Sequence, residues 1–276
     1  MPTQETTQCC RDRSATPASK RCYLSDTQAR IHDWQKNVAG QPLGNFGEPA
    51  PTDFTENQIG FVLSEWFDEF VPHFREFTSF NASVTDIYCT SSVEVGTDVA
   101  NQSLPRITEQ MRKLADDIGD TAFTLLGLLN ATGTTVRPGR LNNRTTPASV
   151  EVVCVSSLLH LFGQEEYSTE LLANGALNSL RRLSKLLGIP FKRTLLAVCD
   201  SNDTKLWTSV EIGGVGAKTY NVGTGVYGLA NGNNAAQLNL PGERSWRVTN
   251  GNGKLIKSPS FTPPDLSFVG VAESAE

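Results

Sequence analysis

The feature that most constrains this chain is a series of apolar residues at helical spacing between residues 55 and 200. Apolar side chains that recur every three or four residues form one face of a helix, and that face must be buried against another element. Four segments have this spacing, namely residues 55–80, 103–130, 147–162 and 168–187. The pattern predicts a mainly α-helical protein with a helical bundle core of about four helices.

Local signals predict the limits of these segments. The residues from Thr55 fit a capping box, so we expect the first helix to begin there, and Pro72 is expected to bend or end it. The second helix is expected to begin at Ser103. The third segment opens with VEVVCVSS, which fits either a helix or a strand. The fourth is expected to end before Gly188, a residue type that suits a C-cap.

The two ends of the chain differ from this helical core at 55–200. Residues 1–54 are rich in Thr, Ser, Pro, Gly and Gln, which predicts a flexible N-terminal arm with one short helix near residues 26–37. Residues 201–276 alternate short β-type runs with Gly- and Asn-rich turns and then become Pro-rich. They predict a β-rich region that continues into an extended, mobile end.

The stretch EIGGVGAKTY, residues 211–220, has some features of a nucleotide-binding loop. A phosphate loop needs Lys directly after its last Gly, followed by the start of a helix. Here Ala217 separates Gly216 from Lys218, and the residues that follow are rich in Gly and Asn. We interpret the stretch as strands and turns.

Few residues of this chain suit catalysis or metal binding. The three histidines lie in no known nucleophile or metal signature, and the six cysteines lack metal-ligand spacing. Adjacent acids such as Asp116 and Asp117 splay around a helix, so we expect them to face solvent. We predict no catalytic residue, no cofactor and no metal. The longest apolar run, residues 123–129, is too short to cross a membrane, so no membrane partner is expected.

Charge is unevenly distributed along the chain, although the formal net charge is only −5. Residues 55–130 carry twelve acids and four bases, whereas residues 131–200 carry five acids and eight bases. An acidic half and a basic half on one subunit favour head-to-tail stacking of copies, which predicts a homo-oligomer.

The bases lie in two acid-free stretches, residues 135–146 and 171–199. Arginine forks beside Asn and Thr donors suit phosphate oxygens. A solvated loop, with bases near a helix C-terminus, explains the same pattern without a ligand. Six residues form the predicted phosphate-binding set: Arg137, Arg140, Arg144, Arg181, Arg182 and Lys185.

A helix-turn-helix DNA-binding regulatory protein is the alternative. The stretch RRLSKLLGIPFKRTLLAV, residues 181–198, has a small residue, Ser184, four positions before Gly188 and then a basic segment. In such a motif Phe191 would face the DNA groove and Thr194 would occupy a buried position. Neither residue type is typical of its position.

In layout, the chain resembles the coat proteins of helical rod-shaped and flexuous RNA viruses. The resemblance covers a helical core with an arginine-bearing loop between two arms, although the Ala-Phe-Asp-Phe element typical of flexuous plant viruses is absent. It implies a structural protein that packages single-stranded RNA as a helical capsid and contacts phosphates without reading bases. It also implies a location in virions and in the host cytoplasm.

Overall fold

The protein is mainly helical, as predicted, over the residues that the computed structural model describes, which are 22–90, 93–139, 146–221, 225–238, 240, 244–250 and 255–270. The bundle consists of α1 (Tyr23–Asp33), α2 (Thr52–Ser64), α3 (Val71–Thr90), α4 (Val93–Ala131), α5 (Ala148–His160), α6 (Thr169–Leu186) and α7 (Phe191–Asp203). Two π-helical segments, Trp34–Val38 and Glu65–Phe70, directly follow α1 and α2.

Helix α4 is the centre of the bundle. Its C-terminal half buries Leu114, Ile118 and Leu129 completely, and α1, α2, α3, α6 and α7 pack against it. Helix α7 approaches closely at Gly119, because a Cβ there would lie 2.6 Å from Val198 Cγ2. Although α4 has 39 residues, no helix in the described part of the chain is both long and apolar enough to cross a membrane.

Two predicted helix starts are wrong. Helix α4 begins at Val93, ten residues before the expected start at Ser103. Helix α2 begins at Thr52 with Pro51 at the N-cap position, so Thr55 lies inside the helix and forms no capping box. In both places the chain becomes helical earlier, because polar residues with no apolar spacing still continue a helix that is anchored further along.

Pro72 does not end the first predicted helix. The π-helical segment Glu65–Phe70 joins α2 to α3, and the chain stays helical from residue 52 to residue 90. A π-helical turn changes the hydrogen-bonding partners just ahead of the proline, which has no N–H of its own. Pro105 likewise lies inside α4.

The third and fourth predicted segments are helices at the expected positions. The ambiguous run VEVVCVSS is helical in α5, where Val155 and Leu159 are buried. Ser168 caps α6, because its Oγ accepts a hydrogen bond from the Leu171 N–H. Gly188 follows α6 with a φ of 69°, a left-handed conformation that favours glycine.

Residues 22–54 belong to the helical body, which corrects the predicted arm boundary at residue 54. Helix α1 buries Ile31 completely. Asn130 Nδ2 of α4 donates to Gln35 Oε1, 3.0 Å away, just beyond α1. Buried amides of this kind interrupt the apolar spacing, which is why the sequence pattern did not reveal the contact. Residues 1–21 of the predicted arm lie outside the described residues.

After α7 the chain forms the predicted β-type region. Its strands are β1 (Trp207–Thr208), β2 (Ala217–Asn221), β3 (Val226–Leu229), β4 (Asn234–Gln237) and β5 (Arg244–Thr249), and helix α8 (Ser209–Val215) follows β1. The strands make an antiparallel sheet in the order β1-β5-β4-β3-β2. A small separate core lies beneath it, formed by Trp207, Ile212, Leu229, Ala235 and Val248.

The stretch EIGGVGAKTY covers the end of α8 and the whole of β2 except its last residue. Its first two glycines are therefore helical rather than in the turns that we predicted. Lys218 lies in a strand and not at the start of a helix, so the stretch lacks the geometry of a phosphate loop.

Residues 262–269 return to the bundle, where an extended and mobile end was predicted. Leu266 and Val269 belong to the bundle core, where they are 7% and 1% exposed. The Thr262 N–H donates to Thr204 Oγ1 at 3.0 Å. Proline-rich composition predicted the lack of regular structure but not these contacts.

Candidate nucleic-acid interface

The loop that follows α4 is held against the bundle by helix α1. Gln28 Oε1 accepts a hydrogen bond from the Val136 N–H at 2.8 Å, and Gln28 Nε2 donates to the Thr134 carbonyl at 2.6 Å. A side-chain amide can both accept and donate, so Gln28 pairs with the loop as a neighbouring strand would. The position of residues 134–139 therefore depends on a helix that the sequence placed in an arm.

Two asparagines of α6 fix the other side of this loop. Asn174 Oδ1 accepts from the Arg137 N–H at 2.7 Å, and Asn178 Oδ1 accepts from the Gly139 N–H at 2.8 Å. Asn178 Nδ2 also lies 3.3 Å from the Arg137 carbonyl, to which it donates. The asparagines are four residues apart and so share one helix face. This spacing is present in the sequence LLANGALNSL. Patterns of charged and apolar residues do not include asparagine, so they did not predict this contact.

Of the predicted phosphate-binding residues on α6, Arg181 contacts the backbone of the loop that carries Arg137. Arg181 Nη1 lies 3.4 Å from the Gly139 carbonyl and 3.2 Å from Asn178 Oδ1. Its guanidinium is therefore beside the loop that carries Arg137. Lys185, one turn further along α6, is exposed. The Asn178, Arg181 and Lys185 side chains lie on one face of α6, because their spacing follows the helical repeat.

Two of the predicted arginines have carboxylate partners of different kinds. Arg137 is 73% exposed and its Nη2 lies 3.2 Å from Glu170 Oε1, a surface pair that contributes little and leaves the guanidinium accessible. Arg182 Nε donates at 2.9 Å to Glu151, whose side chain is only 6% exposed, and its Nη2 donates to Ser179 Oγ. We therefore assign Arg182 to holding α5 against α6.

Arg140 and Arg144 lie outside the described residues. The described residue before them contacts α6, and the described residue after them contacts α5. On one side Gly139 bonds to Asn178, and on the other Thr146 Oγ1 donates at 3.3 Å to Glu151 Oε1, the oxygen that also accepts from Arg182.

Helices α6 and α7 are joined by a short turn, residues 187–190, as a helix-turn-helix motif requires. Ser184 Oγ donates to the Ile189 carbonyl at 2.6 Å and fixes this turn. Thr194 is fully buried and Phe191 packs against the bundle core. Within the described residues, α7 thus acts as a core helix of the bundle, and no contact there favours its insertion into a DNA groove.

A second group of titratable side chains lies on α4, where we expected solvent-facing acids. Asp117 is only 8% exposed and its Oδ2 lies 2.8 Å from His73 Nδ1 on α3. Asp116 and Asp120 are half-buried. The prediction that these acids face solvent is wrong, because other helices surround α4. Adjacent side chains that point in different directions around α4 are therefore both covered, at least in part.

Burial decides the protonation of this acidic group. It raises the pKa of Asp117 to about 6, against a hydrogen bond from His73 that lowers it. It raises the pKa of Asp120 to about 7 and also raises the pKa of Asp116. Burial lowers the pKa of Lys205, which lies near Asp120. In the described part of the chain, no three His, Cys, Asp or Glu side chains are arranged to hold a metal ion.

Comparison with known proteins found no matching family model, no matching curated protein and no matching solved structure. The function must therefore be inferred from the geometry of the sites themselves.

Proposed function

We propose that this protein packages single-stranded RNA as a self-assembling subunit of a helical capsid. The observation that supports the proposal is that the loop carrying Arg137 lies along α6, where the Arg181 guanidinium contacts the Gly139 carbonyl of this loop and Lys185 is exposed one turn further on. Cations from two elements thus border one loop–helix contact on a chain whose net charge is −5. In this role the protein would occur in virions and in the host cytoplasm.

The chemistry of these side chains favours the phosphate backbone over the bases. A guanidinium offers several N–H donors in a plane that matches phosphate oxygens, and a lysine adds a point charge. Asn174 and Asn178 already bond to the loop backbone, so their amides are engaged away from base edges. Phosphate contacts carry no sequence information. Binding should therefore tolerate any RNA sequence and weaken steeply with salt.

The Arg181→Ala/Lys185→Ala double variant tests the helix side of the site, because two phosphate contacts are lost. Each phosphate contact on a single strand contributes about −0.7 to the slope of log affinity against log salt. The variant should therefore lose about 1.4 from the magnitude of this slope and bind about tenfold or more weakly at low salt. Fluorescence anisotropy with a short labelled single-stranded RNA measures both quantities.

A matched control removes two exposed cations from the middle of α4, Arg106 and Lys113, which are 57% and 49% exposed. This control variant should keep the wild-type salt slope. Equal losses in both double variants would contradict the assignment of the site. Strong preference for one duplex DNA sequence would support the helix-turn-helix alternative instead.

The loop is tested by a second variant in which Arg137, Arg140 and Arg144 are replaced together by Ala. It should bind RNA more weakly while its circular dichroism stays unchanged. Electron microscopy of the wild-type protein, with and without RNA, would show whether filaments form.

A further inference from the structure

Helices α3 and α4 extend beyond the bundle as an antiparallel pair. We define the distal hairpin as the described residues 77–90 and 93–105 of this pair, and no described side chain within it is buried. From Phe77 to the end of α3 at Thr90 the helix runs for about 20 Å, at about 1.5 Å per residue. The hairpin is therefore an arm with its own surface rather than a layer of the bundle.

The distal hairpin leaves apolar side chains in solvent. Phe77, the first residue of the hairpin, still packs against the bundle core. Phe80 is half-buried, and the Arg106 guanidinium of α4 lies 4.1 Å from the centre of its ring. Ile87 and Leu104 remain 41% and 58% exposed. Two helices alone cannot cover all of their apolar surface, and exposed apolar residues on a projecting element are typical of a contact site.

The charge of the distal hairpin is complementary to that of another surface on the same chain. Residues 77–105 contain three acids and no Lys or Arg, whereas residues 171–199 contain five bases and no acid. The basic residues Lys192 and Arg193 are exposed at the start of α7. Leu186, at the turn before them, is 38% exposed and adds an apolar contact.

These two surfaces lie far apart along α4 within one chain. The Cβ position of Gly119 on α4 is 3.2 Å from Thr194 Cγ2, so the start of α7 lies at that level. From Gly119 to Asp98 the distance along α4 is about 30 Å. The acids of the hairpin therefore cannot reach the bases of their own α7. A contact between two different surfaces on two copies is head-to-tail and builds rings or filaments.

We propose that the distal hairpin of one subunit docks on the turn between α6 and α7 of a second copy. Asp86 and Asp98 would face Lys192 and Arg193, while Leu104 would cover the apolar surface at that turn. Opposite charges would select this partner and orientation. The inference deepens the proposed function, on whose self-assembly it rests, by naming the surfaces that join neighbouring subunits.

A charge-swap experiment tests this interface on RNA-free protein by sedimentation velocity. The Asp86→Lys/Asp98→Lys variant and the Lys192→Glu/Arg193→Glu variant should each stay monomeric, because like charges meet at the contact. Mixed in equal amounts, the two variants should form assemblies again, because each then offers the surface that the other needs. An unfolded variant could not be rescued in this way.

A matched control reverses two exposed acids in the turn between α5 and α6, through Glu165→Lys and Glu166→Lys, and should assemble like the wild type. The docking inference is overturned if the wild type stays monomeric at high concentration, or if Asp86→Lys/Asp98→Lys still assembles. It is also overturned if two folded variants do not assemble when mixed. RNA affinity, measured separately, decides the proposed RNA function and leaves this result unaffected.

Discussion

At the scale of single residues, Asp120 shows how the bundle modifies an acid. Its neighbours on α4 are Asp116 and Asp117, and Glu65 and Lys205 face it from adjoining segments. Burial raises the pKa of Asp120 to about 7, whereas an unperturbed aspartate has a pKa of about 3.9. The unfolded chain therefore loses this proton at a lower pH than the folded chain does. The free energy of unfolding should fall as pH rises from about 4 to about 7.

Asp120→Asn removes this ionisation and is the residue-scale prediction. At pH 8 the variant should be more stable than the wild type by on the order of 1 kcal/mol, and the two proteins should converge near pH 4. Urea denaturation over a pH series measures the difference. Asp98→Asn, at an exposed position of α4, should leave the profile unchanged. A variant less stable than the wild type at pH 8 would mean that attraction to Lys205 outweighs burial.

At the scale of elements, one ion pair holds α5 to α6. Arg182→Ala would leave the buried Glu151 carboxylate without its cation, whereas Arg137→Ala would break only an exposed pair with Glu170. The first should lower the free energy of unfolding by about 2 kcal/mol or more, and the second by less than about 1 kcal/mol. Urea denaturation compares them.

A second substitution shows whether Arg182→Ala destabilises the protein through the lost ion pair or through lost packing. Adding Glu151→Gln to Arg182→Ala should recover part of the lost stability, because the uncompensated buried charge disappears. If Arg182→Ala and Arg137→Ala were equally mild, Arg182 would return to the set of residues free to contact phosphate.

Sequence predicted those helices in which apolar residues recur at helical spacing. Helix α6 is one of them, since Leu172, Leu180 and Leu183 follow this spacing and all are buried. Helix α1 is not, because buried side chains such as Gln28 and His32 interrupt the apolar pattern. Gln28 bonds to the backbone of residues 134 and 136, more than 100 positions away, and no local pattern contains that information.

The candidate site was predictable only in part, because local patterns show which residues are charged but not which distant residues they contact. The acid-free stretches predicted Arg137 and Arg181 as site residues, and Arg181 contacts the Gly139 carbonyl in the loop that carries Arg137. The pairing of Arg182 with Glu151 joins residues 31 positions apart, so counting charges within a stretch missed it. The asparagines of α6 lie four residues apart, and this spacing could have predicted that their side chains bond to the backbone of a neighbouring segment.

At the scale of the whole molecule, residues 262–269 stabilise the bundle that they rejoin. Val269 is 1% exposed within the bundle core, and the Arg193 guanidinium lies 4.1 Å from the centre of the Phe268 ring. Val269→Asp should lower the free energy of unfolding by about 2 kcal/mol or more, because a charge would enter an apolar site. Thermal denaturation followed by circular dichroism measures this loss.

The matched control for this whole-molecule prediction is Val210→Asp, at a position that is 85% exposed on α8. It makes the same chemical change in solvent and should leave the melting temperature nearly unchanged. A mild effect of Val269→Asp would show that the bundle is complete without the last residues of the chain.

The hydrogen bond from the Thr262 N–H to Thr204 Oγ1 has a consequence for how the sequence of this protein can vary in evolution. The chain leaves the helices after α7 at Thr204 and returns to the same place at Thr262. The sheet is formed by the residues between these two points. The sheet has its own small core, and Arg247 of β5 packs against Gly40 of the helical body. We therefore expect the loops of this region to tolerate changes in length and charge wherever the anchor points and the contact at Gly40 are kept.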